Sequence, residues 1–232
     1  MSNKLYNKIK ELADSKKVQV LQGFFKTGPG EYGAGDKFLG VTVPQIRIVA
    51  QEFKDLEIKE LTESIESAWH EERLCALIIL TLQFKNADEA KRKIIFNFYL
   101  KNTKNINNWD LVDLTADRIA GAYLEDKDKS ILTKLAKSEN LWERRIAMLS
   151  TFHYIKNGQP NDAIKIAEIL LLDKHDLIHK AVGWMLREIG KRCSVKVLYN
   201  FLDKHYHEMP RTMLRYAIER LPEEKRRYYL GR

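Results

Sequence analysis

The stretch KAVGWMLR at residues 180–187 carries the pattern that decides the fold. A cation stands at position 180, and a small residue, glycine, follows three positions later. The same spacing of a cation and a small residue occurs at residues 73–76 and at residues 144–147. The step from 144 to 180 is 36 residues, and the step from 73 to 144 is 71, which is room for two units of about 36. A period of this length with two helices per unit indicates a HEAT-like helical solenoid.

The repeat register extends to two further segments. Residues 108–111, NWDL, lie halfway through the longer gap, and residues 214–217, LRYA, lie one further step beyond position 180. The small residue of each unit would let two helices pack closely, and the cation beside it would reach one shared face. Such arrays curve, and their concave face is the usual binding surface.

Apolar residues recur at helical spacing along nearly the whole chain, and no segment shows sustained alternation with a period of two. The predicted helices are Lys4–Ala13, Val43–Phe53, Glu72–Phe84, Ala87–Leu100, Trp109–Leu124, Lys129–Lys137, Leu141–Lys156, Asn161–Leu171, Leu177–Lys191, Val195–Tyr206 and Pro210–Leu221. We therefore predict an all-α fold, with one HEAT-like repeat domain over residues 1–232 and a basic concave face.

The composition favours a polyanionic partner. The formal net charge is +8 and the pI is about 9.3, and a basic surface both attracts phosphates and gains from counterion release.

The longest apolar run, around Leu74 to Leu82, is too short to span a bilayer. Two distant cysteines, Cys75 and Cys193, give neither a disulfide framework nor a zinc spacing. We expect a cytoplasmic monomer that does not engage a membrane.

Two segments resemble ligand sites without meeting their requirements. Residues 28–33, GPGEYG, have the spacing of a dinucleotide-binding loop, but no βαβ unit surrounds them, and a flexible loop is the better interpretation. His175 and His179 are four residues apart, yet no third zinc ligand stands at a suitable spacing, so surface or capping roles are expected. We predict no metal and no cofactor.

The segment FLGVTVP at 38–44 should lead into a helix whose exposed amides could hold a phosphate.

Two tryptophans stand beside charged residues at helical spacing. Trp109 shares a helical stripe with Asp113, and Trp184 shares one with Lys180 and Arg187. In the repeat register both tryptophans follow the cation position, so they could converge on one concavity. Lys180 is interpreted as a phosphate contact.

The alternative to a functional role is ordinary packing. Core packing is the usual role of a tryptophan, and Trp69 and Trp142, at predicted helix starts, fit it. Asp110 and Asp117 are alternative carboxylates close to Asp113. What distinguishes Asp113 is its four-residue offset from a tryptophan. An inward carboxylate among cations would repel a phosphate backbone unless it faces a developing positive charge.

Four segments together resemble a known family. FLGV at 38–41, WDLVD at 109–113, WERR at 142–145 and AVGWMLRE at 181–188 are similar to the AlkD-type bacterial DNA alkylation repair glycosylases, over about residues 5 to 220. That family is built from HEAT-like repeats and hydrolyses the N-glycosidic bond of cationic N3- and N7-alkylated purines in duplex DNA. The resemblance implies that Asp113 is the catalytic carboxylate and that Trp109 and Trp184 contact the lesion. The DNA contacts expected in addition are Arg145, Arg187, Lys180, Arg144, Thr42 and Arg47.

The chemistry agrees with these residues. An alkylated purine already carries positive charge and leaves readily, so one carboxylate is enough, whereas ordinary glycosidases need two. A tryptophan face beside a cationic base contributes about 0.5–2 kcal/mol. We predict a monofunctional glycosylase, because no lysine is arranged as a Schiff-base nucleophile. A catalytically silent DNA-structure-binding protein and a protein-interaction scaffold are the alternatives.

Overall fold

The computed structural model describes residues 4–231, and every regular element in this range is a helix. The all-α prediction is therefore confirmed. The helices are α1 Lys4–Glu11, α2 Ser15–Phe24, α3 Val43–Glu52, α4 Ile58–Ile65, α5 His70–Asn86, α6 Glu89–Lys101, α7 Trp109–Asp113, α8 Ser130–Ala136, α9 Leu141–Ser150, α10 Phe152–Lys156, α11 Asn161–Ile169, α12 Asp176–Arg192, α13 Val195–His205, α14 Arg211–Ile218 and α15 Glu223–Leu230. A short 3-10 turn spans Thr103–Asn105, and a π-helical turn spans Asp117–Gly121.

Two predicted helices are each divided at a buried threonine. The predicted helix Trp109–Leu124 ends at Asp113, and the Thr115 hydroxyl donates to the carbonyl of Leu111 at 2.5 Å. The predicted helix Leu141–Lys156 breaks at Thr151, whose hydroxyl donates to the carbonyl of Met148 at 2.6 Å. Threonine hydroxyls that bond back to a carbonyl one turn earlier compete with the helical ladder and bend the chain.

Three helices were not predicted: α2, α4 and α15. Helix α2 has no buried residue, so it lacks the apolar stripe that periodicity detects. Helix α15 buries only Tyr229 and so lacks the stripe as well. Helix α4 buries Leu61 and Ile65 at helical spacing, so its pattern was present in the sequence and was overlooked. Within residues 4–231, no helix is both long enough and apolar enough to cross a membrane.

The chain divides between Thr115 and Ala116 into two compact units. Helix α5 is the centre of the first unit, with every residue from His70 to Leu80 buried, and α3 and α4 pack against it. Its burial on all sides explains the unbroken apolar run that the sequence shows there.

In the second unit, α12 packs most extensively against α14. A Cβ atom on Gly183 would overlap the carbonyl oxygen of Met213 and lie 2.5 Å from the Cβ of Tyr216. The close packing predicted for this small residue is therefore confirmed. The corresponding residues at positions 76 and 147, both alanine, are fully buried. The single domain over residues 1–232 and the basic concave face stay predictions.

Candidate functional site

A cavity of about 410 Å³ lies in the first unit beside α7. Most of its wall is apolar, and four aromatic rings contribute to it. Five of its lining residues carry polar side chains: Thr42, His70, Glu71, Asp110 and Asp113. A concave and mainly apolar surface with a few polar groups is the usual form of a ligand site.

Helix α7 places Trp109 and Asp113 on the lining of this one cavity. The helix starts at Trp109 because the Asn108 side chain accepts a hydrogen bond from the Trp109 amide at 2.8 Å. Asp110 Oδ1 accepts another from the Leu111 amide at 2.9 Å. Trp109 and Asp113 are both half-buried, so each has surface that a ligand can reach. Indole and carboxylate thus stand four residues apart on one helix, as the spacing predicts, and their roles stay predictions.

The Trp109 indole belongs to a group of stacked rings. It stacks on Phe25, with centroids 5.1 Å apart and planes 22° apart, and Phe25 in turn stacks on Phe38 at 5.2 Å. Phe24 meets the indole edge-on at 5.4 Å and is 60% exposed. Sequence reasoning missed the three phenylalanines. Phe38 lies in the segment FLGV at 38–41, and Phe24 and Phe25 come shortly before the glycine-rich segment, residues 28–40.

Behind the rings lies a buried charged group centred on His70, which is 1% exposed. Its Nε2 lies 2.9 Å from Asp110 Oδ2, and its Nδ1 lies 3.2 Å from Asp36 Oδ2. Arg73 donates to the second oxygen of Asp36 at 2.7 Å, and Asn107 donates to the same oxygen at 3.0 Å. This cluster also escaped sequence reasoning.

The cluster shifts two pKa values. Burial lowers the pKa of His70, but the charge of Asp110 and the hydrogen bonds to Asp110 and Asp36 outweigh it and raise the pKa to about 9. Burial raises the pKa of Asp36, whereas the hydrogen bond from His70, the charge of Arg73 and the Asn107 amide hold that pKa below its usual value. His70 is therefore an imidazolium at neutral pH, held between two carboxylates.

The expected phosphate-holding amides before α3 are already occupied. The amides of Leu39, Gly40 and Val41 donate to the buried carboxylate of Glu71, at 2.9–3.2 Å to its Oε1. The prediction of exposed amides was wrong for these three, because a carboxylate of the chain takes the place of a phosphate. Gly40 has φ of +87°, which favours glycine in this turn.

The two residues proposed to bind DNA at α3 differ in their surroundings. Thr42 precedes the helix, and both its amide and its hydroxyl donate to Gln45 Oε1, at 3.0 and 2.6 Å. Its hydroxyl is thus part of the helix start, and its role as a phosphate contact stays a prediction. Arg47 lies exposed on α3.

In the second unit, Trp184 is half-buried on α12, with its ring centroid 5.9 Å from that of Phe152. Lys180 pairs with Asp176 at 2.7 Å, and Arg187 pairs with Glu219. The convergence of Trp184 with Trp109 and Asp113 on one concave surface stays a prediction.

Arg144 and Arg145 are engaged within the second unit. Arg144 pairs with Asp173 at 2.6 Å and also donates to two carbonyls of the preceding turn. Arg145 is 5% exposed and donates to the carbonyl of Leu177 at the start of α12. In this conformation Arg145 has little surface to offer to DNA, and its role as a DNA contact stays a prediction.

His175 has the capping role that was one of the two expected for it. His175 precedes α12, and its Nδ1 accepts a hydrogen bond from the Leu177 amide at 3.1 Å, which confirms the capping role. Within residues 4–231, no group of three or more histidine, cysteine, aspartate or glutamate side chains is arranged to hold a metal ion.

The fold and site can be compared with known proteins. The model of the DNA alkylation repair enzyme family matches residues 5–221, and the chain belongs to this family. A predicted DNA alkylation repair enzyme from Enterococcus faecalis has a similar structure, with a TM-score of 0.69 and 14% sequence identity over 91% of this chain and 97% of that one. At this identity the likeness shows a shared fold. No curated protein matches.

Proposed function

We propose that the protein is a monofunctional DNA glycosylase that hydrolyses the N-glycosidic bond of cationic N3- and N7-alkylated purines in duplex DNA. One observation carries the proposal: Trp109 and Asp113 line one cavity in a member of the DNA alkylation repair enzyme family. An indole face and a carboxylate are the groups that a cationic base and a cationic sugar require.

The reaction follows from the charge of the substrate. When the bond between C1′ of the sugar and the purine nitrogen breaks, its electron pair neutralises the positive charge of the base, which leaves without protonation. The sugar becomes oxocarbenium-like, and the carboxylate of Asp113 stabilises this cation. Water then adds to C1′, one proton is released, and an abasic site remains.

The charge of the chain supports duplex DNA as the substrate. A net charge of +8 favours a polyanion, and Arg47, Lys180 and Arg187 are the proposed contacts to phosphates. The ion pairs of Lys180 and Arg187 would be exchanged for phosphate contacts on binding.

The test is release of free base from methylated duplex DNA, measured by chromatography and compared with a no-enzyme control. We expect 7-methylguanine and 3-methyladenine to be released and abasic sites to remain without strand cleavage. Salt-dependent duplex binding without base release would instead favour a silent DNA-binding protein. No DNA affinity at physiological salt would favour a protein-interaction scaffold.

A further inference from the structure

We propose that His70 is a positioning residue for the candidate site: by bridging Asp36 and Asp110 through its two ring nitrogens, it sets the position of α7 and therefore of Trp109 and Asp113. The consequence for catalysis rests on the proposed function, whereas the positioning itself does not.

The first argument is the geometry of the ring. Nδ1 and Nε2 point to carboxylates on different segments, Asp36 in the glycine-rich segment and Asp110 in α7, at 3.2 and 2.9 Å. Only the protonated imidazole donates from both nitrogens, and a neutral one would turn a lone pair toward one carboxylate. The charged ring thus ties two segments to α5, the best-buried helix of the first unit.

The second argument is the place of Asp110. It stands directly after Trp109 and three residues before Asp113, and its Oδ1 accepts the Leu111 amide at 2.9 Å. The Asp110 carboxylate therefore accepts a hydrogen bond from His70 and also organises the first turn of the helix that carries the site. Displacements of about 1 Å in such groups are enough to lower a reaction rate about 100-fold.

The third argument is a second route from the same ring. The His70 ring lies 4.8 Å from that of Phe25 and 4.6 Å from that of Phe38. Phe25 stacks directly on the Trp109 indole. His70 therefore supports the indole from behind through the rings while it holds the start of the helix through Asp110.

The protonation state links this arrangement to pH. The charged groups that face His70 are Asp36 from the glycine-rich segment, Arg73 from α5 and Asp110 from α7. Burial and Arg73 oppose the charge on His70, and the two carboxylates outweigh them, so its pKa is about 9. Above this pH the ring donates to only one of the two carboxylates, so the bridge between Asp36 and Asp110 is broken.

The test reads the position of Trp109 directly. The four tryptophans are labelled with 5-fluorotryptophan, and the Trp109 fluorine resonance is assigned with Trp109→Phe. In the wild type we expect this resonance to shift with a midpoint near pH 9, following His70. In His70→Gln it should stand at a displaced position already at pH 7 and should not titrate. His205→Gln, which removes a histidine paired with Glu168 in the second unit, is the matched control and should behave as the wild type.

Activity supplies a separate measurement. With saturating enzyme at pH 7, His70→Gln should release 7-methylguanine at least about 10-fold more slowly, while its affinity for an unmodified duplex changes less than about twofold. Absence of base release by the wild type would count against the proposed function and leave the fluorine measurement intact. A Trp109 resonance that is identical in wild type and His70→Gln, and unchanged between pH 7 and 10, would overturn the proposal. If His70→Gln does not fold, the wild-type titration decides alone.

Discussion

Trp109 and Asp113 are the first and last residues of one five-residue helix, and both line the same cavity. A single helical turn therefore fixes the separation of indole and carboxylate. The helix does not continue because the Thr115 hydroxyl bonds to Leu111 and receives the Tyr99 hydroxyl at 3.0 Å. The proposed site thus depends on a short element that is held by its neighbours.

The buried imidazolium predicts how stability depends on pH. The folded pKa of His70, about 9, lies above its ordinary value of 6.5, so the contribution to stability is complete below pH 6.5 and is lost as pH rises through 9. The difference corresponds to about 3 kcal/mol. In urea unfolding at pH 6, 7.5 and 9.5, the free energy of unfolding should fall more steeply with pH for the wild type than for His70→Gln. The same dependence of this free energy on pH in the two proteins would contradict the prediction.

The Glu71 carboxylate predicts a large loss of stability on neutralisation. Glu71→Gln keeps the shape of the side chain but replaces a charged acceptor of three amides by a neutral amide group. We expect the free energy of unfolding to fall by about 2–4 kcal/mol, since bonds to charged groups are the stronger ones. Glu63→Gln, at an exposed position of α4, is the matched control and should change little. Equal stabilities of the two variants would show that the amides do not depend on the charge.

The contact between α12 and α14 predicts intolerance of a single methyl group. Gly183→Ala would place Cβ against the backbone of Met213 and the side chain of Tyr216, which should cost about 1–3 kcal/mol. Gly23→Ala is the matched control, because no atom lies within 4 Å of its added Cβ and its helix should gain about 0.5–1 kcal/mol. The melting temperatures of the two variants, each compared with that of the wild type, measure these effects. A Gly183→Ala protein as stable as the wild type would mean that the helices separate without cost.

Sequence periodicity predicted most of the elements that bury an apolar stripe, although α4, which buries Leu61 and Ile65, was missed. Helix α5 is evident from its apolar run, whereas α2 buries no side chain and leaves no such signal. The breaks at Thr115 and Thr151 come from individual side-chain hydrogen bonds, which a window over apolar residues does not detect.

The candidate site likewise contains residues that the sequence predicts and residues that it does not. Trp109 and Asp113 were predictable because they stand four residues apart, about one helical turn. The His70 cluster joins residues 34 and 40 positions apart, and only the fold brings them together. Glu71 likewise fills, from 30 to 32 positions away, an amide site that the local sequence predicts to be open.

The most direct test of the proposed glycosylase is single-turnover release of 7-methylguanine by Asp113→Asn. The variant keeps the size of the side chain and removes the negative charge that would stabilise the oxocarbenium-like sugar. Loss of one such electrostatic contact should slow release about 100- to 1,000-fold. Asp126→Asn makes the same change of charge at an exposed aspartate and should release 7-methylguanine at the wild-type rate. Wild-type release rates in Asp113→Asn would contradict the account and remove Asp113 from the reaction.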